Sequence, residues 1–442
     1  MNYRLTSFAF LFLALVVCAG ATAWAGQTKK PAGSQPQKTH EVSNPLNDLL
    51  DEAQAAIDKK DFSAAVTVLN KFLAEKPDVA YAHFQLAYAY TGLERRDDAK
   101  KEYQGAIALD PKMAEAYVNL GLLLVDHEPT EAVAPLQKAV ELLPTQSRTR
   151  FLLGWALERS GDLKGAIEPY QTAERLDPQD YEATFALGRT LLRLNRAADA
   201  EKEFRKALAL RENSGPARLG LANALFVQSK PEAAESFASY LEVQPQDRET
   251  RQQLARLWFE KNAYDKALAE LDRADAGASA SLESLRLRAD ILIAQKNWDA
   301  AISALQTALQ QAPRDAVLHA GLGRVYMQKR DFALAEKELR IALGLDEQLT
   351  DALRDLGAVY YLAGNYPAAL QALDLLVKRE KPTAGSWFVR AICYDKLGQK
   401  KEALEAYGKF RELDQGRNAD QDFQARHRME LLARELGLNP KR

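Results

Sequence analysis

Residues 80–113, AYAHFQLAYAYTGLERRDDAKKEYQGAIALDPKM, carry two apolar patterns of helical spacing that are separated by a break at Gly92. The apolar positions are Phe84, Leu86, Ala87 and Tyr90, followed by Ala99, Tyr103 and Ala106. Pro111 ends the second pattern, because proline lacks the amide hydrogen and clashes with the preceding helical turn. The stretch therefore predicts a helix, a turn and a second helix.

The same pattern recurs along the chain in steps of about 34 residues, a period typical of solenoid proteins. In the first helix a small residue recurs at Ala87, Gly121, Gly154, Gly188, Ala222, Ala255, Ala289, Gly323, Gly357 and Ala391. In the second helix alanine recurs at the equivalent place, and bulky residues lie between, at Tyr103, Tyr170, Phe204, Phe237 and Tyr407. Small and large residues in a constant order predict stacked helices that interdigitate without voids.

The repeated unit resembles the tetratricopeptide repeat family, as found in exported bacterial proteins. We identify eleven units in register, which begin near Leu46, Ala80, Ala114, Ser147, Tyr181, Gly215, Arg248, Leu282, Ala316, Thr350 and Ala384. The resemblance implies an all-α, right-handed superhelical α-solenoid of about eleven helix-turn-helix units over residues 46–417. We expect residues 418–442 to form a C-terminal capping helix and tail, because a solenoid has to cover its last apolar face. A partner-binding helix is the alternative.

The N-terminus has the pattern of a secretory signal peptide over residues 1–25. Arg4 precedes the apolar run from Leu5 to Val17, and Ala23-Trp24-Ala25 fits a cleavage site. Two alternatives stay open: an uncleaved membrane anchor, and lipidation at Cys18. The predicted location is therefore periplasmic or secreted, and the mature chain is expected to have no membrane span.

Two further segments are predicted to be flexible. Residues 26–45 are rich in Lys, Pro, Gly, Ser and Gln and are interpreted as a linker. Residues 276–281, Ala-Gly-Ala-Ser-Ala-Ser, replace the usual proline-containing connection and suggest a soft joint in the solenoid. A longer but still packed turn is the alternative.

Composition limits the function classes. The chain has 59 basic and 61 acidic residues, so nothing indicates broad attraction to nucleic acid or anionic lipid. The five histidines are widely separated, and we find no phosphate-binding loop, nucleophile elbow or metal-ligand spacing. We therefore expect no enzyme activity, cofactor or metal. Cys393, the one cysteine beyond Cys18, is interpreted as a packed thiol.

In the family, the first helix of each unit lines a concave groove that contacts the ligand. Carried over by position, the partner-binding residues are Tyr81, Phe84, Tyr88, Asn119, Arg148, Phe151, Trp155, Arg189, Arg193, Asn223, Arg256 and Arg324. The groove also includes Phe259, Arg286, Met327, Arg354 and Tyr361 by the same criterion. The arginines suit an acidic or extended peptide, because the guanidinium group binds carboxylates in a bidentate fashion.

Each of these assignments has an alternative. Asp290 and Asp355 also lie at groove positions and are able to neutralise the arginines across neighbouring helices. Tyr88 and Trp155 are equally consistent with packing between repeats.

The function expected from the sequence is a non-catalytic scaffold of the cell envelope that binds partner proteins or peptides. A repeat subunit of an export or assembly apparatus for exopolysaccharide or pili is the main alternative, in which case a polysaccharide could contact the aromatic residues. An enzyme with a site across the groove is the alternative of a different class.

Overall fold

The computed structural model describes residues 45–438, so the predicted signal peptide and nearly all of the predicted linker lie outside the described residues. The described chain forms two compact bodies, residues 45–109 and residues 110–438, which are considered separately below. The first body contains α1 (Pro45–Asp58), α2 (Phe62–Glu75), α3 (Ala80–Gly92) and α4 (Arg96–Leu109).

The second body contains nineteen helices. They are α5 (Ala114–Leu124), α6 (Pro129–Leu142), α7 (Ser147–Ser160), α8 (Leu163–Leu176), α9 (Tyr181–Arg193), α10 (Ala197–Leu210), α11 (Gly215–Val227), α12 (Ala233–Val243), α13 (Arg248–Glu260), α14 (Tyr264–Asp275), α15 (Leu282–Ala294), α16 (Trp298–Gln311), α17 (Ala316–Gln328), α18 (Phe332–Leu345), α19 (Thr350–Leu362), α20 (Tyr366–Val377), α21 (Ala384–Lys396), α22 (Lys400–Asp414) and α23 (Ala419–Glu435).

Each odd-numbered helix from α1 to α21 packs against the even-numbered helix that follows it, which makes eleven pairs in the described chain. Ten of the eleven first helices begin at the residue where the sequence places the start of a unit, and α1 begins one residue earlier, at Pro45. The predicted all-α repeat architecture is thus confirmed. Below, positions are counted from the first residue of each predicted unit.

No helix among residues 45–438 combines the length and the apolar content that a membrane crossing requires.

Within a repeat, a bulky side chain of the second helix lies on a small residue at position 8 of the first helix. A Cβ atom placed on Gly154 would lie 2.7 Å from the ring of Tyr170, and one on Gly121 would lie 2.4 Å from Leu136. Where position 8 is alanine, as at Ala87, the residue is fully buried. This fit explains why the sequence alternates small and large residues in a constant order.

The turn between the two helices places one residue in the left-handed conformation in ten of the eleven repeats. The residues are Lys60, Glu94, Gly161, Asn195, Ser229, Asn262, Lys296, Arg330, Gly364 and Gly398. Glycine and asparagine tolerate this conformation well, whereas the Cβ atoms of lysine, arginine and glutamate are strained in it. The turn geometry is therefore maintained by the packing of the two helices, and not by the local preference of the turn residue.

A second recurring contact is made by the side chain at position 4 of the first helix, which lies within hydrogen-bond or ion-pair distance of two oxygen atoms. Arg251 Nε donates to the carbonyl oxygen of Pro245, six residues earlier, at 3.0 Å, and its Nη1 donates to Glu270 of the second helix at 2.7 Å. Histidine or arginine at position 4 makes similar contacts at His83, Arg150, Arg218 and His319. These side chains fasten the incoming connection to both helices of the repeat.

In the second body the first helices of neighbouring repeats contact one another, as in α7 with α9, α9 with α11, and α17 with α19. The second helices of neighbouring repeats approach each other less closely. The first helices therefore form the concave side of this body, which is called the inner face below.

The connection at residues 276–281 is tied to its neighbours on both sides. Arg248 donates to the carbonyl of Ser279 at 3.2 Å, Gln252 donates to the Ser281 hydroxyl at 3.0 Å, and Gln311 donates to the carbonyl of Ala280 at 2.9 Å. Its flexibility stays a prediction.

At the C-terminus, α23 covers the last repeat. Ala425 and Leu432 of α23 are fully buried in a cluster with Tyr407 and Phe410 of α22. This packing confirms the predicted capping helix.

Glu201 on α10 is a carboxylate that joins the fifth and sixth repeats. It accepts hydrogen bonds from Lys230 Nζ at 2.6 Å, from Gln228 Nε2 at 2.9 Å and from Arg205 Nη2 at 3.0 Å. Burial by itself raises the pKa of this carboxyl, but the three donors outweigh burial and hold the pKa at about 2.

We expect Lys60→Gly to stabilise the first body by about 0.5–1 kcal/mol, because glycine adopts the left-handed conformation without a Cβ clash. Lys59→Gly is the matched control: it removes the same charge at an adjacent residue that lacks a positive φ, so it should destabilise. Native-state hydrogen exchange of the α2 amides measures both effects. Equal destabilisation by the two changes would contradict the strain argument.

We expect acid to destabilise the wild-type protein more than it destabilises the Glu201→Gln variant. The pKa of Glu201 is depressed in the folded state, so its stabilising effect is present above about pH 4.5 and is lost as the pH falls towards 2. The thermal unfolding midpoint should therefore fall less for the variant between neutral pH and about pH 3. Glu347→Gln removes an exposed carboxylate in the α18–α19 connection and should behave like the wild type.

Candidate functional site

In the first body the predicted aromatic residues lie on α3 and differ in exposure. The Tyr81 ring is 47% exposed and stacks at 6.3 Å on Phe84, which in turn packs on the buried Tyr103 at 6.0 Å. The Tyr88 ring is half-buried against the edge of Phe62, and burial raises its pKa. Tyr81 is therefore the predicted residue that is most open to a ligand here.

In the second body the aromatic residues of α7 belong partly to the core. The Phe151 ring lies 5.7 Å from the buried Tyr170, and the guanidinium group of Arg148 lies 5.0 Å from the Phe151 ring centre. Trp155 is half-buried and packs against the core between the fourth and fifth repeats. The structure thus favours the packing alternative for much of the Trp155 surface, while one part of the ring remains accessible.

Glu158, near the end of α7, is a buried carboxylate that neither composition nor spacing singles out. It accepts from Arg189 Nη2 at 2.7 Å, from Arg193 Nη1 at 2.9 Å and from the Tyr170 hydroxyl at 3.0 Å. Burial, followed by the charge of Glu158, raises the pKa of Tyr170 well above its usual value. Two of the predicted groove arginines are therefore tied to one carboxylate of the preceding repeat.

Arg256 and Arg324 are also paired with a neighbouring repeat. Arg256 donates to Glu283, and Arg324 Nε donates to Asp355 at 2.8 Å. The arginine side chains nevertheless stay between 39% and 53% exposed. The structure thus favours the alternative that acidic residues neutralise the arginine series internally.

The two predicted asparagines, Asn119 on α5 and Asn223 on α11, are half-buried. Neither side-chain amide has a hydrogen-bond partner within residues 45–438. Their amide groups are available to a ligand, although one asparagine is far from the other in the array of repeats.

An apolar row follows position 12 of the first helices through six successive repeats. Its members are Leu192, Phe226, Phe259, Ile293, Met327 and Tyr361, spaced by 33 or 34 residues. Phe226 is 41% exposed, and the other members are half-buried. This row runs beside position 9, which carries Arg189, Asn223, Arg256, Asp290 and Arg324.

Sequence reasoning identified three members of this row but missed Leu192, Phe226 and Ile293. The signal was present, because all six share one position of the repeat. The transfer of groove positions from the family did not follow position 12 through every repeat.

No group of three or more His, Cys, Asp or Glu side chains suited to a metal ion occurs within the described range 45–438. Cys393 is fully buried, and burial raises the pKa of its thiol to about 11, which confirms the interpretation as a packed residue.

Comparison with protein-family models settles the family. Two tetratricopeptide repeat models match the chain, one at residues 50–95, 85–147, 126–181, 151–215, 185–247 and 354–418, the other at residues 292–348. The chain belongs to the tetratricopeptide repeat family. Members of this family are in general non-catalytic scaffolds for protein interactions.

Among curated proteins, the chain is similar to a DnaJ homolog subfamily C member 7 homolog of Schizosaccharomyces pombe. The two are 27% identical over 326 residues, which cover 66% of this chain and 63% of that protein. It is also 26% identical over 302 residues to a BBSome complex member BBS4 homolog of Drosophila melanogaster, over 64% of this chain and 62% of that protein. The chain thus spans about three fifths of the length of these curated relatives.

Among solved structures, the chain is similar to the C-terminal part of a TPR repeat-containing protein from Cytophaga hutchinsonii. The TM-score is 0.48 at 20% identity, over 53% of this chain and 97% of that structure.

Because Glu158 is buried, we expect the two arginines that pair with it to contribute more to stability than the other groove arginines. Changing Arg189 and Arg193 together to alanine should lower the free energy of unfolding by about 3 kcal/mol, because a buried carboxylate loses both countercharges. Arg256→Ala, whose partner Glu283 is exposed, should cost less than about 1 kcal/mol. Urea unfolding followed by circular dichroism measures both, and equal costs would contradict the role assigned to Glu158.

Proposed function

We propose that this protein is a non-catalytic scaffold of the cell envelope that holds a protein or peptide segment along the inner face of its second body. The observation that carries the proposal is the apolar row at position 12. A row that is repeated through six repeats offers a long, partly exposed contact surface on rigid helices. Pre-formed surfaces of this kind bind an extended segment without ordering the scaffold first.

The ion pairs beside the apolar row limit which charges of a partner segment this surface is able to bind. Because Arg189, Arg193, Arg256 and Arg324 already have carboxylate partners, an incoming acidic residue would have to share each guanidinium group with an internal carboxylate. Affinity is therefore supplied mainly by the apolar row, and the paired charges contribute to specificity. This argument favours an extended segment with apolar residues over a uniformly acidic peptide.

Export to the envelope is part of the proposal and is supported by the pattern of residues 1–25. The low net charge of the chain, −2 in total, agrees with a protein partner and gives no support to a nucleic-acid partner.

In-cell photo-crosslinking tests the inner face directly. A photoreactive phenylalanine analogue at Phe226 should form adducts with a partner, because this side chain is exposed on a first helix. The matched control is Leu334, which has a similar exposure, 38% against 41%, but lies on the second helix α18. Adducts from Leu334 equal to those from Phe226, or from neither site, would contradict binding at the inner face.

Fractionation of the same cells tests the location. The protein and its adducts should be recovered with the envelope or the periplasmic contents, with residues 1–25 removed. Recovery in the cytosol with an intact N-terminus would contradict export. It would not affect the test of the inner face, which rests on the crosslinking at Phe226.

A further inference from the structure

One carboxylate of the inner face makes no direct ion pair or side-chain hydrogen bond within residues 45–438. Asp290 lies at position 9 of the eighth repeat, on α15, and forms neither an ion pair nor a hydrogen bond through its side chain. Its nearest candidates are engaged elsewhere: Arg286, one turn earlier on α15, donates to Asp315, and Arg324 donates to Asp355 at 2.8 Å. Asp290 is thus left over after the neighbouring arginines have paired.

The local charge balance is therefore negative. Around Asp290 the inner face carries three arginines, each paired with one acid: Arg256 with Glu283, Arg286 with Asp315, and Arg324 with Asp355. Counting Asp290, three positive charges stand against four negative charges, which leaves a net charge of −1. This is the opposite of what the succession of arginines in the sequence suggests.

The surroundings of Asp290 are only partly hydrated. Burial raises the pKa of its carboxyl although Arg286 and Arg324 act to lower it, yet the side chain is exposed to solvent. A carboxylate of this kind is reachable from the inner face but has lost part of its hydration. A cation placed against it would restore the lost stabilisation of the charged form.

The apolar row occupies the position that follows Asp290 by one helical turn. Ile293 lies one turn after Asp290 on α15, and Phe259 and Met327 occupy the same position of the row on α13 and α17. A lysine or arginine side chain has an apolar stem and a charged end, so it is able to pack on such a row while its charged end reaches a carboxylate. A bare metal ion would be poorly held, because hard cations take six or more oxygen ligands and a single carboxylate supplies two.

We propose that Asp290, together with Phe259, Ile293 and Met327, forms a subsite for one basic side chain of an extended partner segment that is otherwise apolar. The inference rests on the proposed function, because it names the chemistry of the segment that the inner face binds. Asp290 selects the basic residue and sets its register along the repeats, and the apolar row holds the residues on either side.

The experiment uses a phage-displayed library of random peptides, selected against the purified protein. Selected peptides should be enriched in a single lysine or arginine between apolar residues. For such a peptide, fluorescence anisotropy should show that Asp290→Asn weakens binding by about tenfold, since a charge-assisted hydrogen bond in a partly dehydrated site is lost. Glu347→Gln, which removes an exposed charge between α18 and α19, should change binding by less than about twofold.

The charge-reversal variant Asp290→Lys sharpens the test. Selection against this variant should recover peptides with aspartate or glutamate in place of the basic residue, and circular dichroism should confirm that its helix content is unchanged. A switch in peptide charge shows that the charge at position 290 acts on the peptide, and a merely structural role for Asp290 would not produce such a switch.

The outcomes separate this inference from the proposed function. If peptides bind and compete with crosslinking at Phe226, but show no basic preference and no response to Asp290→Asn, the subsite is overturned and the scaffold function stands. If no peptide binds, or if bound peptides leave crosslinking at Phe226 unchanged, the inner-face function itself fails, and the subsite with it.

Discussion

The structure depends on the contact between a bulky side chain of each second helix and the small residue at position 8 of the first helix. At Gly154 and Gly121 the approach is so close that a single added methyl group would overlap Tyr170 or Leu136. This contact sets the angle and distance of the two helices, and the turn between them follows. Lysine, arginine and glutamate accept a left-handed conformation in several of these turns because the helix pairing outweighs the local strain.

The same contact determines which residues face a partner. An α-helix turns by about 100° per residue, so burying position 8 against the second helix places positions 2, 5, 9 and 12 in a stripe to one side. Closer packing of the first helices makes that side concave. The apolar row and the ion pairs of the inner face are therefore consequences of the packing geometry of every repeat, repeated without a break from Leu192 to Tyr361.

Several charges on the inner face are paired between neighbouring repeats. Arg189 and Arg193 reach back to Glu158 of the preceding repeat, whereas Arg324 reaches forward to Asp355 of the next repeat. Such pairs neutralise the surface and at the same time connect neighbouring repeats, which matters in a protein whose contacts are otherwise local. Asp290 differs because its neighbours have already paired elsewhere.

The sequence by itself determined the repeat and its register: ten of eleven first helices begin where the 34-residue pattern places them, and the closing helix α23 covers Tyr407 and Phe410 as expected. The prediction of the repeat succeeded because the helix contact within a repeat joins residues that are close in the chain. Each unit therefore shows the full apolar pattern in its own sequence. Only the tertiary structure decided the state of the inner face. Arg189, Arg193, Arg256 and Arg324 find their partners in the adjacent repeat, and which carboxylate each one reaches depends on how far one helix is displaced from the next. That displacement is a product of packing between repeats, and no single repeat encodes it.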